Sequence, residues 1–445
     1  MSKNKNSFSC SNCEYKTLKW VGCCPDCKLW NTFEEIKISP IMKKDFQSVQ
    51  MSSLENIHFE QKQRILSGIK EWDRVTGGGL MPGSFMIITG DPGIGKSTLL
   101  LKIANEICKN YKVFYFSSEE SLEQIKLRAQ RTDCLSSNLL FADQANLDEI
   151  IATCLAEKPN LIIIDSIQNC YTQDGDFVPG SIGQLKESAF RLMRLAKENH
   201  ITVITTGHIT KDGVIAGPKT LEHIVDAVFY LQGEDRWQTR ILRAVKNRFG
   251  NIDELGFFQM HEEGLIEVPN INQQILEEVS CSPGSVLISY IEGSRPLLIE
   301  LQALSISTKF SMPQRIITGI DPTQVILTAA ILEKYLHVKL SAHDIFFKIS
   351  GGFKIKSSSA DLGIALALLS SYFQKPLPDK SLALGEISLT GQIKPINHFN
   401  IHVNEAFKFG IDKLLISKTQ KVDQPSSKFI TFNNVYELLN LFGDE

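Results

Sequence analysis

No apolar run in this chain of 445 residues approaches the roughly 20 residues that a membrane-spanning helix needs. A membrane is therefore not an expected partner. The stretch from Met1 to Ser9 also lacks an apolar core of signal-peptide length. An excess of one charge is missing too, since 47 Lys and Arg stand against 50 Asp and Glu for a formal net charge of −3. That balance excludes a generally basic, nucleic-acid-coating surface, so any DNA contact must come from local basic groups in loops or a channel. Low-complexity tracts and short repeats are absent, which excludes a repeat array. The ten cysteines read as zinc ligands and core fillers rather than a disulfide framework. Together these absences lead to the expectation of a cytoplasmic protein.

What is present is a globular composition, 43% hydrophobic and 22% charged. A chain of this length exceeds what one hydrophobic core organises, so several domains are expected. Five of the cysteines crowd between Cys10 and Cys27, which defines a small head over residues 1–34. A polar stretch of weak periodicity over 35–61 reads as a linker. From 62 to 268 short apolar runs alternate with helical patterns. Phe85 to Thr89, Val113 to Phe116, Leu161 to Asp165 and Ile201 to Thr205 read as buried strands. Ser97 to Lys109, Leu122 to Arg131, Leu147 to Glu157 and Ile182 to Glu198 read as the helices between them. That alternation predicts an α/β domain with a mostly parallel sheet covered on both faces. Residues 269–445 contain new strands and two apolar helices, near Asp321 to Lys334 and Ser359 to Tyr372, and read as an α+β domain.

Two constellations carry chemistry. Cys10, Cys13, Cys24 and Cys27 form two CxxC turns separated by ten residues. Each turn presents two thiolates to one metal, and four of them hold Zn²⁺ tetrahedrally with no open position, so the zinc is expected to be structural. Cys23 competes with Cys24, but only Cys24 preserves the two-residue gap before Cys27. The second constellation is Gly90-Asp91-Pro92-Gly93-Ile94-Gly95-Lys96-Ser97, followed by Thr98, between a predicted strand and a predicted helix. A glycine-rich turn in that position cradles the phosphates of ATP with backbone N–H groups, Lys96 reaches the β- and γ-phosphates, and Ser97 ligates Mg²⁺. Asp165, ending an apolar strand, is the expected second group for Mg²⁺ and its waters. Ser117-Ser118-Glu119-Glu120 follows another strand at the same edge. Glu119 is the favoured base for the attacking water, with Glu120 as its competitor.

Arg64-Ile65-Leu66-Ser67-Gly68, Asp73-Arg74-Val75-Thr76-Gly77-Gly78-Gly79-Leu80, the phosphate loop, Ala216-Gly217-Pro218-Lys219 with Leu221-Glu222-His223, and Lys246-Asn247-Arg248-Phe249-Gly250 occur in this order. With them the chain resembles, over essentially its whole length, the bacterial RadA (Sms) family of DNA repair proteins. Trp20-Val21-Gly22 and Trp30-Asn31-Thr32 of the head share the likeness. The resemblance implies a zinc ribbon, a RecA-like P-loop core and a Lon-protease-like tail. It also implies a DNA-dependent ATPase that assembles as a homo-oligomeric ring of six and moves on single-stranded DNA. Branched recombination intermediates would be its substrate, with the recombinase RecA as a candidate partner. In such rings a basic residue of the next subunit reaches the γ-phosphate, the role implied for Lys246 and Arg248. His208 is implied as a sensor of the nucleotide state. The loops near 170–183 and 209–220 would line a DNA channel, with Lys211 and Lys219 on phosphates; no aromatic stacking platform is identified in the sequence.

The likeness to Lon carries its own test. Such peptidases need a serine activated by a lysine. Ser359 falls on the nucleophile position, but His402 falls where the lysine belongs, and Ala360-Asp361 replaces Ala-Gly. The dyad is broken, and the tail is expected to be a scaffold for ring formation and DNA. An ATP-dependent peptidase and a non-catalytic ATPase scaffold are the alternatives.

Overall fold

The computed structural model describes residues 7–10, 15–17, 19–26, 28–36, 53, 63–173, 181–208, 221–234, 239–252, 254–309, 312–350, 355–422 and 427–443. The chain forms two compact units, Met1–Gln61 and Lys62–Glu445. No helix among the described residues is long and apolar enough to cross a membrane.

In the first unit β1 (Ser7–Cys10), β2 (Lys16–Thr17) and β3 (Phe33–Ile36) form an antiparallel sheet with β1 in the centre. β3 pairs with β1 along its length, from Cys10 opposite Phe33 to Ser7 opposite Ile36. The head therefore extends to Ile36, past the boundary at 34 expected from sequence. The polar Glu34 and Glu35 gave no strand pattern, and cross-strand hydrogen bonding holds them there.

The second unit begins with α1 (Lys70–Val75) and then builds a nine-stranded sheet among the described residues. Its parallel part contains β4 (Phe85–Gly90), β5 (Val113–Ser117), β6 (Leu139–Ala142), β7 (Leu161–Asp165), β8 (Thr202–His208) and β9 (Ala227–Glu234). They lie in the order β6-β5-β7-β8-β4-β9. β10 (Thr239–Asn247), β11 (Leu255–His261) and β12 (Gly264–Glu267) continue beyond β9 in antiparallel fashion. Side chains alternate across β4 as a strand demands. Met86 and Ile88 pack into one core with Leu99, Ile103 and Ala104 of α2 (Lys96–Ile107). Phe85 and Ile87 face the other core, filled by Ile150 and Cys154 of α4 (Leu147–Glu157) and by Leu185, Ala189 and Leu192 of α5 (Ile182–Asn199). α3 (Leu122–Arg131) starts at a capping box in which Ser121 accepts from the Gln124 backbone and Gln124 answers on Ser121. Burial on both faces explains why these strands read as continuous apolar runs.

The chain continues through α6 (Ile271–Glu278) into a seven-stranded mixed sheet. Its strands are β13 (Ser285–Glu292), β14 (Arg295–Ser307), β15 (Arg315–Thr318), β16 (His343–Ile349), β17 (Ser381–Leu384), β20 (Lys413–Ser417) and β21 (Phe429–Phe432). β18 (Glu386–Ile387) and β19 (Ile393–Lys394) form a separate pair. α7 (Pro322–Leu336), α8 (Asp361–Phe373) and α9 (Phe399–Lys408) complete the domain. α8 is buried along almost its entire surface, which is why Ser359 to Tyr372 reads as uniformly apolar.

No gap separates this tail from the sheet before it. One apolar cluster includes Ile241, Leu255 and Phe257 on one side and Ile288, Leu297 and Leu366 on the other. Across the same seam Arg295 Nη1 donates to Glu71 Oε2 at 2.6 Å, with Glu71 wholly buried, and the guanidinium lies 4.7 Å from the Phe257 ring centroid. Arg295 Nη2 also donates to the Pro269 carbonyl at 2.8 Å.

Candidate nucleotide site

Gly90 ends β4 at the carboxyl edge of the parallel sheet, between β8 and β9, where the chain leaves to form α2 and returns as β5 beyond β8 and β7. Such a crossover point opens a crevice for ligands. α2 begins at Gly95, whose φ of 112° is open only to glycine at little cost, and no side chain caps the helix. Its first N–H groups are thus left to an anion. Lys96 is buried, and its ammonium donates to the Gly90 carbonyl at 2.9 Å and the Asp91 carbonyl at 3.0 Å. Burial lowers the Lys96 pKa, while the charges of Asp165, Glu119 and Asp91 work in the opposite direction. An ammonium curled onto its own loop and surrounded by carboxylates is set up to take phosphate oxygens as acceptors.

The carboxylates are held as firmly. Asp165, buried at the end of β7, accepts from Tyr115 Oη at 2.8 Å and from Thr206 Oγ1 at 2.6 Å. Burial and then the Asp165 charge push the Tyr115 pKa well above its ordinary value, so the phenol stays a donor. Ser118 Oγ accepts from the Ser166 backbone N–H at 3.0 Å and donates to the Ser166 carbonyl at 2.9 Å, which ties the loop after β5 to the loop after β7. Glu119 accepts from the Ser166 hydroxyl in that junction. Glu120 is instead ion-paired with Arg128 of α3. Of the two candidate bases, only Glu119 joins the group around Lys96 and Asp165. His208 pairs with Gly90 in the sheet register, so its backbone stands beside the phosphate loop. Tyr115, Thr206, Ser118 and Ser166 were not anticipated; the alternation that sends Tyr115 and Thr206 toward Asp165 was the available signal.

Lys246 and Arg248 lie elsewhere. Asn247 pairs with Ala227, and Ala227 with Met86, four residues before Gly90 on β4. At the rise of a strand this is about 13 Å from the phosphate loop, toward the opposite edge of the sheet. Arg248 is 56% exposed and pairs with Asp226 at 3.4 Å. Lys246 donates to the Glu222 and Val225 carbonyls of its own chain, and burial lowers its pKa, followed by the charge of Arg248. The two basic residues are therefore not equivalent: Arg248 is presented outward, whereas Lys246 braces its own backbone. Arg64 holds the segment from below, donating to the Phe249 carbonyl at 2.6 Å and the Gly79 carbonyl at 3.2 Å. Gly77 and Gly250 touch so closely that a methyl group on either would stand within 2.8 Å of the other's Cα.

In the head, Cys10 and Cys24 are both buried in one small cluster with Phe33, against which Phe8 and Val21 pack. Cys23 turns its thiol to the Lys28 carbonyl at 3.4 Å instead. Two buried thiols in one small cluster of so short a ribbon fit a thiolate-bound zinc. Cys13 and Cys27, like Lys211, Lys219 and most of the two loops expected to line a channel, lie outside the described residues.

Comparison with known proteins agrees in all three regions. Residues 8–35 match the family described as the rubredoxin metal binding domain, 58–214 an AAA domain, and 320–420 subunit ChlI of Mg-chelatase. The DNA repair protein RadA of Aquifex aeolicus is 37% identical over 99% of this chain and 100% of its own length. Its namesake from Streptococcus pyogenes serotype M1 is 40% identical over 99% of both chains, and that of Halalkalibacterium halodurans 39% over 94% and 93%. The chain belongs to the DNA repair protein RadA family.

The fold of this RadA family member is accordingly a zinc ribbon, a RecA-like P-loop ATPase core and a Lon-like α+β tail. In that tail Ser359 and His402 line one small cavity with Ser357, Ser358, Glu386 and His398. They are engaged separately. Ser359 Oγ shares a hydrogen bond of 2.8 Å with Ser357 Oγ, and His402 Nδ1 one of 2.8 Å with Ser289 Oγ. Burial, reinforced by His398, depresses the His402 pKa to about 4.

Proposed function

We propose that this RadA family member is a DNA-dependent ATP hydrolase that works as a homo-oligomeric ring of six and translocates on single-stranded DNA to process branched recombination intermediates. The ATPase body spans 62–268, and the tail, 269–445, is a scaffold without peptidase activity. Gly90 to Thr98 cradle the phosphates, Lys96 exchanges its two carbonyl partners for β- and γ-phosphate oxygens, and Glu119 orients the attacking water. Mg²⁺, held through Ser97 and Asp165, supplies neutralisation of charge developing on the phosphates. His208 senses the nucleotide from its place beside Gly90. Cys10, Cys13, Cys24 and Cys27 hold a structural Zn²⁺. DNA as substrate follows from the relatives named DNA repair protein RadA, and RecA as a direct partner belongs to the same reading.

One observation carries the shared-site mechanism: Arg248 is exposed at the edge of the sheet opposite its own phosphate loop. A guanidinium so placed serves a neighbour's γ-phosphate rather than its own. Arg248→Ala therefore still binds nucleotide but loses turnover by on the order of 10³-fold. Mixed rings of Arg248→Ala and Lys96→Ala subunits regain partial hydrolysis at interfaces where two intact halves meet, which neither pure variant does. Mixed rings that form and stay inactive would remove the shared site. Turnover with and without single-stranded DNA across a salt series tests the DNA dependence, and a rate indifferent to DNA overturns it.

A further inference from the structure

Trp20 and Trp30 of the zinc head are 56% and 74% exposed, although they are the largest apolar side chains it has. The fold brings them together. A methyl group on Gly22 would stand 3.6 Å from Trp30 Cζ3 and 3.7 Å from Trp20 Cη2, so both six-membered rings border the same glycine. The hairpin that achieves this is well defined: Cys23 and Trp30 form a β-bridge, and the Asn31 N–H donates to the Gly22 carbonyl at 2.9 Å with Asn31 at a φ of 56°. Neither ring belongs to the head's own core, which is built from Cys10, Cys24 and Phe33.

Paired, exposed apolar groups on a small stiff domain mark a binding surface. Its local charge points to the occupant. Lys19 immediately precedes Trp20 and Lys28 lies two residues before Trp30, and both are exposed. Tyr15 and Leu29 of the head are exposed as well. Flat rings with ammonium groups beside them match the two features of an unpaired strand, base faces and phosphates.

We propose that Trp20 and Trp30 are a stacking platform for unpaired bases of single-stranded DNA, with Lys19 and Lys28 set against the adjoining phosphates. The proposal rests on the reading of the chain as a motor on single-stranded DNA and supplies the head with its ligand. Stacking tolerates any sequence, since every base has a face, and it needs bases that are not paired. The head thereby distinguishes single strands from duplex without reading sequence.

The test uses the full chain, an oligo-dT strand and an abasic strand of equal length and charge. Wild type binds oligo-dT more tightly than the abasic strand. Trp20→Ala and Trp30→Ala each weaken oligo-dT binding by roughly tenfold and leave the abasic strand unaffected. The dependence on salt keeps its slope, because no phosphate contact is lost. Trp20→Phe and Trp30→Phe retain most of the affinity. Zinc content is measured for each variant; should the alanine variants lose metal, indole fluorescence decides with the phenylalanine variants. Quenching by oligo-dT that vanishes in the Trp20→Phe/Trp30→Phe double variant supports the platform. Quenching that persists in the double variant, or that the abasic strand reproduces, overturns it. Metal-loaded alanine variants that bind oligo-dT as wild type does also overturn it and assign the patch to a protein partner. Absence of wild-type binding to either strand overturns the motor reading itself, and the platform with it.

Discussion

The ATPase body and the tail each bring reactive side chains to one place, and they do it differently. At the nucleotide site Lys96 from the start of α2, Asp165 from the end of β7 and Glu119 from the loop after β5 come together at one edge of a sheet, each held by a donor or acceptor. In the tail, Ser359 and His402 line a common cavity, yet the serine is bonded to Ser357 and the histidine to Ser289. Proximity alone does not make a catalytic pair. A base must face its nucleophile, and a histidine whose pKa has fallen to about 4 is a weak proton acceptor at neutral pH.

This contrast is sharpest under substitution. Lys96→Ala is expected to reduce ATP turnover by on the order of 10³-fold while circular dichroism and zinc content stay unchanged; near-native turnover would erase the contrast from the side of the ATPase. Glu119→Gln should lose on the order of 10²-fold, whereas Glu120→Gln, which breaks only the pair with Arg128, should lose less than about tenfold. The reverse order would move the base by one residue.

In the tail the expected effect is on stability. The folded His402 pKa is about 4, below the ordinary value near 6.5. As pH falls from about 6.5 the unfolded chain takes up a proton that the folded chain refuses, so stability declines through that window and levels off below about 4. The loss amounts to about 3 kcal/mol. His402→Asn should flatten the denaturation midpoint between those pH values, and a wild-type midpoint that does not change there removes the buried neutral imidazole. The smallest effect is Ser359→Ala, for which ATP turnover, DNA binding and assembly should all equal wild type. Loss of a measurable peptidase activity in that variant would give the tail the working pair that its geometry argues against.

The elements legible in sequence were a strand buried on both faces and helices with one buried stripe and clear flanking signals. Leu161–Asp165, Leu122–Arg131 and Leu147–Glu157 occur with the bounds that their apolar patterns and flanking residues predict. The phosphate loop was legible because backbone geometry demands its glycines. What sequence left open was decided by partners distant in the chain. Arg128 removes Glu120 from the site, Tyr115 and Thr206 orient Asp165, and a carbonyl pair holds Lys246 in its own subunit. Trp20 and Trp30 read in sequence only as part of the family likeness, and their pairing stayed hidden for the same reason, since only the hairpin across Gly22 makes them neighbours. The tryptophans carry no periodic signal, and composition does not reveal which aromatic rings are left outside a core.

The buried pair of Glu71 and Arg295 bears on how the ATPase body and the tail are joined. Glu71 also accepts from the Phe257 backbone N–H, so three elements meet at one buried carboxylate. Removing either partner strands a charge there, at a cost of about 3–5 kcal/mol. α1, which carries Glu71, runs straight into the Gly77 turn on which Gly250 and the Arg248 segment rest. The anchor of the tail and the footing of the outward-facing arginine are thus two ends of one short helix. Buried apolar packing and a buried ion pair thus run without interruption from the helix before the phosphate loop into the tail.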